Sequence, residues 1–301
     1  GGAAWSQFRA RHPGKVMAEQ WEDEALGDLD QVLSNGWWGR VSCKAAVHVC
    51  RARFGDMWCG AWAKKRYGHG GACAACGHGE DSWAHVLLGC KHEAVNGAMT
   101  NRHNAGLRAF RAGLRLGSLT RWLVLVNAGA VDGEDEQRTI PEWMCPDEAQ
   151  KPDMVIVEGW PYTAGTPAGP VRKCGRHKVR LRLVEFTCTT ERLVGARGAS
   201  KAEKYAPLVS RLREQGWVVD GQVEVVAMGV RGGVGVGMQD TLERLGVPKK
   251  ARVGVVREVQ VAVLEGNVRV VAAKRRADGK GGGAAGGGED GRGVGEREGI
   301  G

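Results

Sequence analysis

The chain has 301 residues, 43% of them hydrophobic, with a formal net charge of +9 and a pI of about 9.2. This length allows two or three small domains with their own cores. No stretch approaches the roughly 20 apolar residues of a membrane-spanning helix, and the basic charge favours a polyanion partner such as nucleic acid. Because the sequence begins with Gly1-Gly2 and no methionine, we expect it to be a piece of a longer protein.

The N-terminal part of the chain is predicted to be a helical segment, residues 1–66. Apolar residues recur among acidic ones over 16–32, and again over 41–65, with spacings typical of helices. Residues 67–93 are rich in glycine, cysteine and histidine. They therefore predict a small irregular module rather than a further regular element.

Residues 94–275 are predicted to alternate between helices and strands. The predicted helices are 94–116, 199–215 and 238–245. The predicted strands are 154–157, 181–186, 222–228 and one or two within 253–271, while 121–126 fits either a strand or a short helix. This order predicts an α/β domain in which helices flank a mixed sheet. From residue 276 onward glycine dominates without apolar periodicity, so 276–301 is predicted to be a disordered tail.

The irregular module contains a pattern typical of a zinc site, with the spacing C-x₂-C-x₈-H-x₄-C. The predicted ligands are Cys73, Cys76, His85 and Cys90. Zinc takes four such ligands in a tetrahedron, which leaves no position for water and indicates a structural site. Packing as small apolar side chains is the alternative, but it suits a glycine-rich segment poorly. His78, His92 and Cys59 are competing ligands, and the pattern favours metal ligation in a reducing compartment over disulfides.

Two acids lie on the predicted strands of the α/β domain. Asp153 follows a Lys-Pro turn and precedes one strand, and Glu185 lies within another. A Pro-Asp pair by itself usually marks only a turn. The period of two places Glu185 on the same face as Leu181 and Leu183, where an unpaired charge is costly. Neighbouring strands are roughly 5 Å apart, so we expect the two carboxylates to share a divalent cation.

Two lysines on the following predicted helix complete this pattern. Lys201 and Lys204 are three residues apart and project from one helix face. A divalent cation held by two carboxylates lowers the pKa of a bound water, and a nearby lysine stabilises the charge that develops. The three groups together predict metal-dependent cleavage of a phosphodiester.

The order and spacing of these motifs resemble the C-terminal region of early-branching, site-specific non-LTR retrotransposon proteins, which ends in a zinc knuckle and a restriction-like endonuclease. The resemblance covers about residues 50–230. The motifs that carry it are the Cys/His pattern, Arg102-His103-Asn104, Lys151-Pro152-Asp153, Glu185 and Lys201-x-x-Lys204-Tyr205.

The resemblance implies a restriction-endonuclease-like, PD-(D/E)xK fold over 94–275, preceded by a zinc knuckle over 67–93. It implies that Asp153 and Glu185 bind magnesium or manganese, and that Lys201 is the catalytic lysine with Lys204 beside it. The side chains implied to contact nucleic acid are Arg102, His103, Asn104 and Tyr205.

The sequence departs from the family pattern at three points. The second acid is Glu where many relatives have Asp, and Thr187 stands two positions after it, so the lysine must come from the helix. In addition, 31 residues separate Asp153 from Glu185. A loop over 159–178 would absorb this length at little cost; without such a loop, Glu158 becomes the rival acid.

The function implied by the resemblance is nicking of target DNA in the nucleus. The freed 3′-hydroxyl would prime reverse transcription of element RNA by an upstream reverse transcriptase portion of the same polyprotein, since no polymerase signature such as Tyr-x-Asp-Asp occurs in this chain. The alternative is a non-catalytic, zinc-knuckle nucleic-acid-binding fragment of a decayed element. A zinc-stabilised interaction domain with incidental charge is a third interpretation.

Overall fold

A computed structural model describes residues 40–54, 57, 59–68, 70–114, 123–126, 140, 144–146, 148–159, 176, 178–235 and 237–281. The predictions for 1–39, for most of the loop 159–178 and for 282–301 lie outside these residues. Within them the chain forms six α-helices and five strands. None of the described helices is long and apolar enough to cross a membrane.

The helices and strands occur in the following places. The helices are α1 (Cys43–Phe54), α2 (Gly60–Tyr67), α3 (Glu93–Leu114), α4 (Val194–Glu214), α5 (Gly237–Arg244) and α6 (Lys249–Gly281). The strands are β1 (Leu123–Val126), β2 (Met154–Glu158), β3 (Arg180–Thr189), β4 (Val218–Val219) and β5 (Glu224–Gly229). A π-helical turn spans His85–Gly89, and a 3₁₀ turn spans Glu191–Leu193.

The strands form one mixed sheet around β3. The strands β1, β2 and β3 are antiparallel neighbours, whereas β4 and β5 pair with β3 in parallel, β4 near its start and β5 near its end. Strand β2 and the middle of β3 are buried on both faces, and β2 accordingly reads as a nearly continuous apolar run. The predicted α/β class, with helices flanking a mixed sheet, is confirmed, and residues 121–126 contain a strand.

The two faces of the sheet have different cores. On one face, residues such as Ile156 and Phe186 pack against α3, α5 and α6. On the other face, Leu181 and Leu183 pack against the apolar stripe of α4. Helix α4 was predicted over 199–215, and it begins five residues earlier. The sheet is therefore sandwiched between helices, and α4 is placed directly over the face that carries Glu185.

Helices α3 and α6 approach each other and the sheet at glycines. A Cβ atom on Gly106 would lie 2.6 Å from Cζ of Phe186, and one on Gly113 would overlap Val255. A Cβ atom on Gly266 would likewise overlap the side chain of Arg102. These positions therefore need glycine because of the close packing.

The Cys/His segment, residues 70–92, packs against the C-terminal half of α6. Leu87 and Cys90 share a core with Val270 and Ala273. The ammonium group of Lys274 lies 3.1 Å from Oδ2 of Asp81 in the segment, with both side chains buried. The segment is therefore attached to the rest of the fold by apolar contacts and by a buried ion pair.

Two predictions for the C-terminal region are wrong. Residues 253–271 are not strands, because they belong to α6, and that helix continues through 276–281, which was predicted to be disordered. Valine is frequent in strands, but side-chain packing in the tertiary fold outweighs that preference. The buried residues Val255, Val259 and Val263 recur every four positions, as a helix requires.

The predicted helical pattern over 41–65 is divided into α1 and α2. Helix α1 ends at Phe54, and α2 begins at Gly60, whose N–H donates to Oδ2 of Asp81 at 2.9 Å. Asp81 therefore caps α2 from the Cys/His segment, a long-range contact that local periodicity does not reveal.

Candidate functional site

The two predicted acids meet across neighbouring strands. In the antiparallel register of β2 and β3, Met154 pairs with Val184, so the next position places Asp153 opposite Glu185. The N–H of Asp153 donates to Oε2 of Glu185 at 3.3 Å. The N–H of Phe186 donates in turn to Oδ2 of Asp153 at 2.8 Å. Strand pairing thus brings together two acids that are 32 positions apart in the chain.

Lys201 approaches the same place from α4. Its Nζ lies 2.5 Å from Oε1 of Glu185, whose side chain is only 4% exposed. Glu185 lies on the face of Leu181 and Leu183, as the period of two predicts. The lysine therefore supplies the countercharge that a carboxylate on an apolar face requires. The structure brings Asp153, Glu185 and Lys201 together, and their catalytic roles stay predictions.

His103 is a fourth member of this group, and it bonds to Asp153. Its Nε2 lies 3.2 Å from Oδ2 of Asp153 and 2.9 Å from the carbonyl oxygen of Phe186. Both partners are acceptors, so Nε2 carries a proton. Burial acts to lower the pKa of His103, but the hydrogen bond and charge of Asp153 and the Phe186 carbonyl raise it to about 9. His103 is therefore protonated, and its positive charge helps to hold the Asp153 carboxylate in place.

The sequence predicted His103 as a nucleic-acid contact rather than as a partner of Asp153. The His103 side chain is 27% exposed, and its ring packs edge-on against the ring of Phe186. No local signal points to the contact with Asp153, because α3 and β2 meet only through the fold of the whole domain.

Three other predicted nucleic-acid contacts are buried in the structure, which disfavours those predicted roles. Arg102 is 3% exposed and donates to the carbonyl oxygen of Leu87 and to Oδ1 of Asn267, both at 2.8 Å. Asn104 is 7% and Tyr205 only 1% exposed. As placed, these side chains cannot reach nucleic acid.

Tyr205 instead supports the segment that precedes Asp153. Its hydroxyl donates to the carbonyl oxygen of Lys151 at 3.0 Å. Burial raises the pKa of Tyr205, and nearby Glu185 raises it further. Lys204, predicted as catalytic, donates to the hydroxyl of Tyr205 at 3.1 Å. Among the described hydrogen bonds it makes none to either acid.

The rival acid Glu158 lies away from the site. It stands at the far end of β2, opposite Arg180, and its Oε2 is 3.9 Å from Arg182. It is five positions further along the strand than Asp153, which is roughly 16 Å. Glu185 therefore keeps the predicted position beside Asp153.

The second candidate site is the group of three cysteines and one histidine predicted from the sequence. These residues, Cys73, Cys76, His85 and Cys90, have ligand atoms that all lie within 4.8 Å of one another. Sγ of Cys76 is 3.4 Å from Sγ of Cys73 and 3.4 Å from Nε2 of His85, and Sγ of Cys73 is 3.9 Å from that of Cys90. A tetrahedral zinc ion with Zn–S bonds of about 2.3 Å separates its sulfurs by about 3.8 Å. The four residues can therefore hold a metal ion such as zinc.

Local backbone structure positions the four ligands. The N–H of Gly77 donates to the carbonyl oxygen of Cys73 at 2.8 Å, and Gly77 has a φ of 72°, so the Cys-x-x-Cys turn closes with a left-handed residue. The π-helical turn brings His85 and Cys90 together, since the N–H of Cys90 donates to the carbonyl oxygen of His85 at 2.9 Å. The competing ligand His78 instead stacks on His85 and contacts the backbone of Glu80.

The thiols of this group differ in acidity. Burial raises the pKa of Cys73, and it raises that of Cys90 to about 12. Burial also acts to raise the pKa of Cys76, but backbone N–H groups of Lys91 and His78 and the neighbouring thiols outweigh it and lower the pKa to about 6. Metal binding must therefore displace protons from the two buried thiols, as is usual for cysteine sites.

Among the described residues, this is the only group of three or more His, Cys, Asp and Glu side chains whose ligand atoms come this close together. The Asp153–Glu185 pair is not such a group. It offers two carboxylates, and any further ligand of a cation there would come from the backbone, from water or from a substrate.

A buried ion pair that the sequence does not indicate joins the 3₁₀ turn after β3 to Arg231, which follows β5. Glu191 is fully buried, and its carboxylate accepts from the backbone N–H and from Nε of Arg231, both at 2.6 Å. The guanidinium group of Arg231 lies 4.4 Å from the ring centroid of Trp83. The residues are 40 positions apart in sequence, so only the fold reveals the pair.

No protein-family model matches the chain, and no curated protein matches it.

Proposed function

We propose that this chain is a divalent-metal-dependent DNA endonuclease with a restriction-like fold, and that Asp153, Glu185 and Lys201 form its active site. The observation that supports this proposal is the meeting of two carboxylates and an ammonium group at one point of the sheet. Lys201 and His103 offset the repulsion between the two buried acids, and a cation bound by both carboxylates would offset it further.

The donor atoms at this site suit a hard cation. Oδ1 of Asp153 accepts no hydrogen bond from any described residue, whereas Oδ2 is engaged by His103 and by the N–H of Phe186. Carboxylate oxygens are preferred ligands of magnesium and manganese. Such a cation, held by Asp153 and Glu185, would supply a metal-bound water of lowered pKa and charge to offset that of the phosphate.

The surrounding side chains have supporting tasks in this proposal. His103 fixes Asp153 in one orientation through Nε2. Lys201 holds Glu185 and places a positive charge beside the expected position of the scissile phosphate, where it stabilises the negative charge that develops during cleavage. Tyr205 fixes the backbone at Lys151, just before Asp153.

The surface of α4 beside the acids is basic. Arg197 and Lys204 lie four residues before and three residues after Lys201, on the same side of the helix. Both are exposed, and neither forms an ion pair with a described residue. In this proposal they would contact the phosphates that flank a bound scissile group.

The remaining parts of the proposal come from the resemblance to site-specific non-LTR retrotransposon proteins. The Cys/His segment would be a structural zinc knuckle. The nick would provide the 3′-hydroxyl from which element RNA is copied in the nucleus, by a polymerase portion outside this chain.

The proposal is tested by plasmid nicking in the presence of magnesium or manganese. Asp153→Asn and Glu185→Gln should each reduce conversion of supercoiled to open-circle plasmid to background, and both proteins should still retain DNA in a gel-shift assay. Glu158→Gln is the matched control, because it changes an acid on the same strand away from the site, and it should nick like the wild type. Nicking at the wild-type rate by both site variants would refute the proposal.

One observation favours a second candidate, a nucleic-acid-binding fragment without catalysis. Lys201 already satisfies Glu185, and the two acids alone do not form a three-ligand group. A binder of this kind would retain DNA equally well with and without magnesium and would cleave nothing. Its affinity would fall with salt in proportion to the phosphates that it contacts.

A further inference from the structure

Helix α2 presents a basic and aromatic surface that the active-site proposal does not use. Its last turn consists of Lys64, Lys65, Arg66 and Tyr67, and all four are exposed. Tyr67 is 58% exposed and is the most exposed of the large hydrophobic side chains among the described residues. The core does not account for the position of this ring, because more than half of the residue's surface is exposed to solvent.

The helix that carries this surface is firmly attached to the Cys/His segment. At its start, the N–H of Gly60 donates to Oδ2 of Asp81 at 2.9 Å, and the N–H of Ala61 donates to the carbonyl oxygen of Asp81 at 3.0 Å. At its end, Gly68 adopts a φ of 76° and donates its N–H to the carbonyl oxygen of Lys64. The last turn is therefore held in a defined position relative to the metal centre.

Trp62 packs between the exposed residues of α2 and the core of the Cys/His segment. The ring of Tyr67 meets it edge-on, with centroids 5.8 Å apart and planes inclined by 75°, and the guanidinium group of Arg66 lies 5.6 Å from the Trp62 ring centroid. This packing limits the orientations of Tyr67 and Arg66 before any ligand binds.

The charge of this surface is uncompensated within the described part of the chain. Helix α2 contains no acidic residue. None of Lys64, Lys65 and Arg66 forms an ion pair with a described acid. Basic residues in the last turn of a helix do complement its dipole, and this would explain the cations, but it does not explain an exposed ring among them.

We propose that this surface, Lys64 to Tyr67, binds single-stranded nucleic acid, with Tyr67 stacked on a base and Lys65 and Arg66 against the adjoining phosphates. Aromatic rings beside cations are what proteins use on single strands, because the bases there are free to stack. In a duplex the base faces are already stacked on one another, so the Tyr67 ring would have no free base face on which to stack. The proposal extends the nucleic-acid role of the chain, but it does not depend on cleavage at Asp153.

The test measures binding of labelled oligothymidine by fluorescence anisotropy, with the full chain carrying Asp153→Asn so that cleavage cannot intervene. Tyr67→Ala should weaken binding roughly 5- to 100-fold, the range expected for loss of one stacked base, while Tyr67→Phe should bind like the parent. Val47→Ala is the control, because Val47 is 48% exposed on α1 and outside the surface, and it should have no effect. Binding to a duplex of the same length should not respond to Tyr67→Ala.

The cations are tested by the salt dependence of the same measurement. Replacing Lys65 and Arg66 with Gln should reduce the slope of log affinity against log salt by roughly 0.7 for each phosphate that the variant no longer neutralises. Oligouridine in place of oligothymidine distinguishes RNA from DNA as the source of the strand. An unchanged affinity of Tyr67→Ala for both oligonucleotides, with its fold retained by circular dichroism, would overturn the proposal, as would an equal loss on single strand and duplex. Loss of binding in Tyr67→Ala would support this surface even if the chain nicks no plasmid.

Discussion

The ammonium group of Lys201 lies 2.5 Å from Oε1 of Glu185, so a helix and a strand are joined by an ion pair at the base of the proposed active site. The carboxylate is almost completely buried, and the lysine is its only charged partner among the described residues. The pair therefore contributes to folding as well as to the proposed chemistry.

Lys201→Met should lower the free energy of unfolding by about 1–3 kcal/mol, because it leaves a buried carboxylate without its countercharge. The double variant Lys201→Met with Glu185→Gln should recover most of this loss, since the charge that needs a partner is then gone. Urea denaturation measures both. Lys250→Met, at an exposed position of α6, is the control and should change little. A double variant no more stable than Lys201→Met would show that the ion pair does not matter for folding.

Zinc removal should destabilise the whole chain. Cys76→Ser should reduce the bound zinc, measured by elemental analysis, well below about one ion per chain, and it should lower the thermal unfolding midpoint. The free energy of binding at such sites, about 10 kcal/mol or more, contributes to folding. Cys43→Ser is the matched control, because Cys43 is exposed and outside the group. Equal zinc content in the two variants would contradict the assigned ligands.

Arg102→Met should destabilise the protein by about 2–4 kcal/mol, because it leaves the carbonyl oxygen of Leu87 and the side chain of Asn267 without their buried donor. Leu87 lies between the candidate metal ligands His85 and Cys90, so zinc affinity should fall as well. The control is Arg108→Met, which changes an exposed arginine on the same helix. Thermal unfolding and zinc titration measure the two effects. An Arg102→Met variant as stable as the Arg108→Met variant would mean that the buried guanidinium group makes no net contribution.

The contribution of His48 to stability should fall as the pH drops below about 6.5, the ordinary pKa of histidine, whereas His103, whose pKa is raised, acts in the opposite direction. Burial lowers the pKa of His48 in the folded state, and the charges of Arg275 and Arg51 lower it further. The unfolded chain therefore binds the proton more readily, so acid favours unfolding at this residue. His48→Gln should show a smaller loss of unfolding free energy between pH 7 and pH 5 than the wild type. Arg275→Gln should also reduce this loss of unfolding free energy. If the pH profile of stability is unchanged in both variants, His48 does not contribute to it.

The sequence predicts the central geometry because strand periodicity and ligand spacing are local properties. The period of two correctly places Glu185 on the face of Leu181, and the four residues selected by the spacing of the Cys/His pattern lie close enough together to hold a metal ion. The position of His103 could not be predicted in this way. It depends on how α3 packs on β3, which is set by the close approach of Gly106 to Phe186.

The main errors occur where tertiary packing overrides local preference. The valines of 253–271 suggest strands, but they become one stripe of α6. Glycine and charge suggest disorder from residue 276, yet Ala277 is buried and Asp278 pairs with Lys274. Arg102 and Tyr205 are residue types that often occur on binding surfaces. Only the structure shows that both side chains are buried.

Helix α6 has 33 residues, which is roughly 50 Å of continuous helix. Its first half forms the core beneath the sheet, through Val255 and Val263, and its second half packs against the Cys/His segment, through Val270 and Ala277. One continuous helix thus contributes to the core under the sheet and to the core of the Cys/His segment. A truncation within its last turns would remove support from the cysteine-rich part first, and its damage would reach a site that lies far from the deleted residues in sequence.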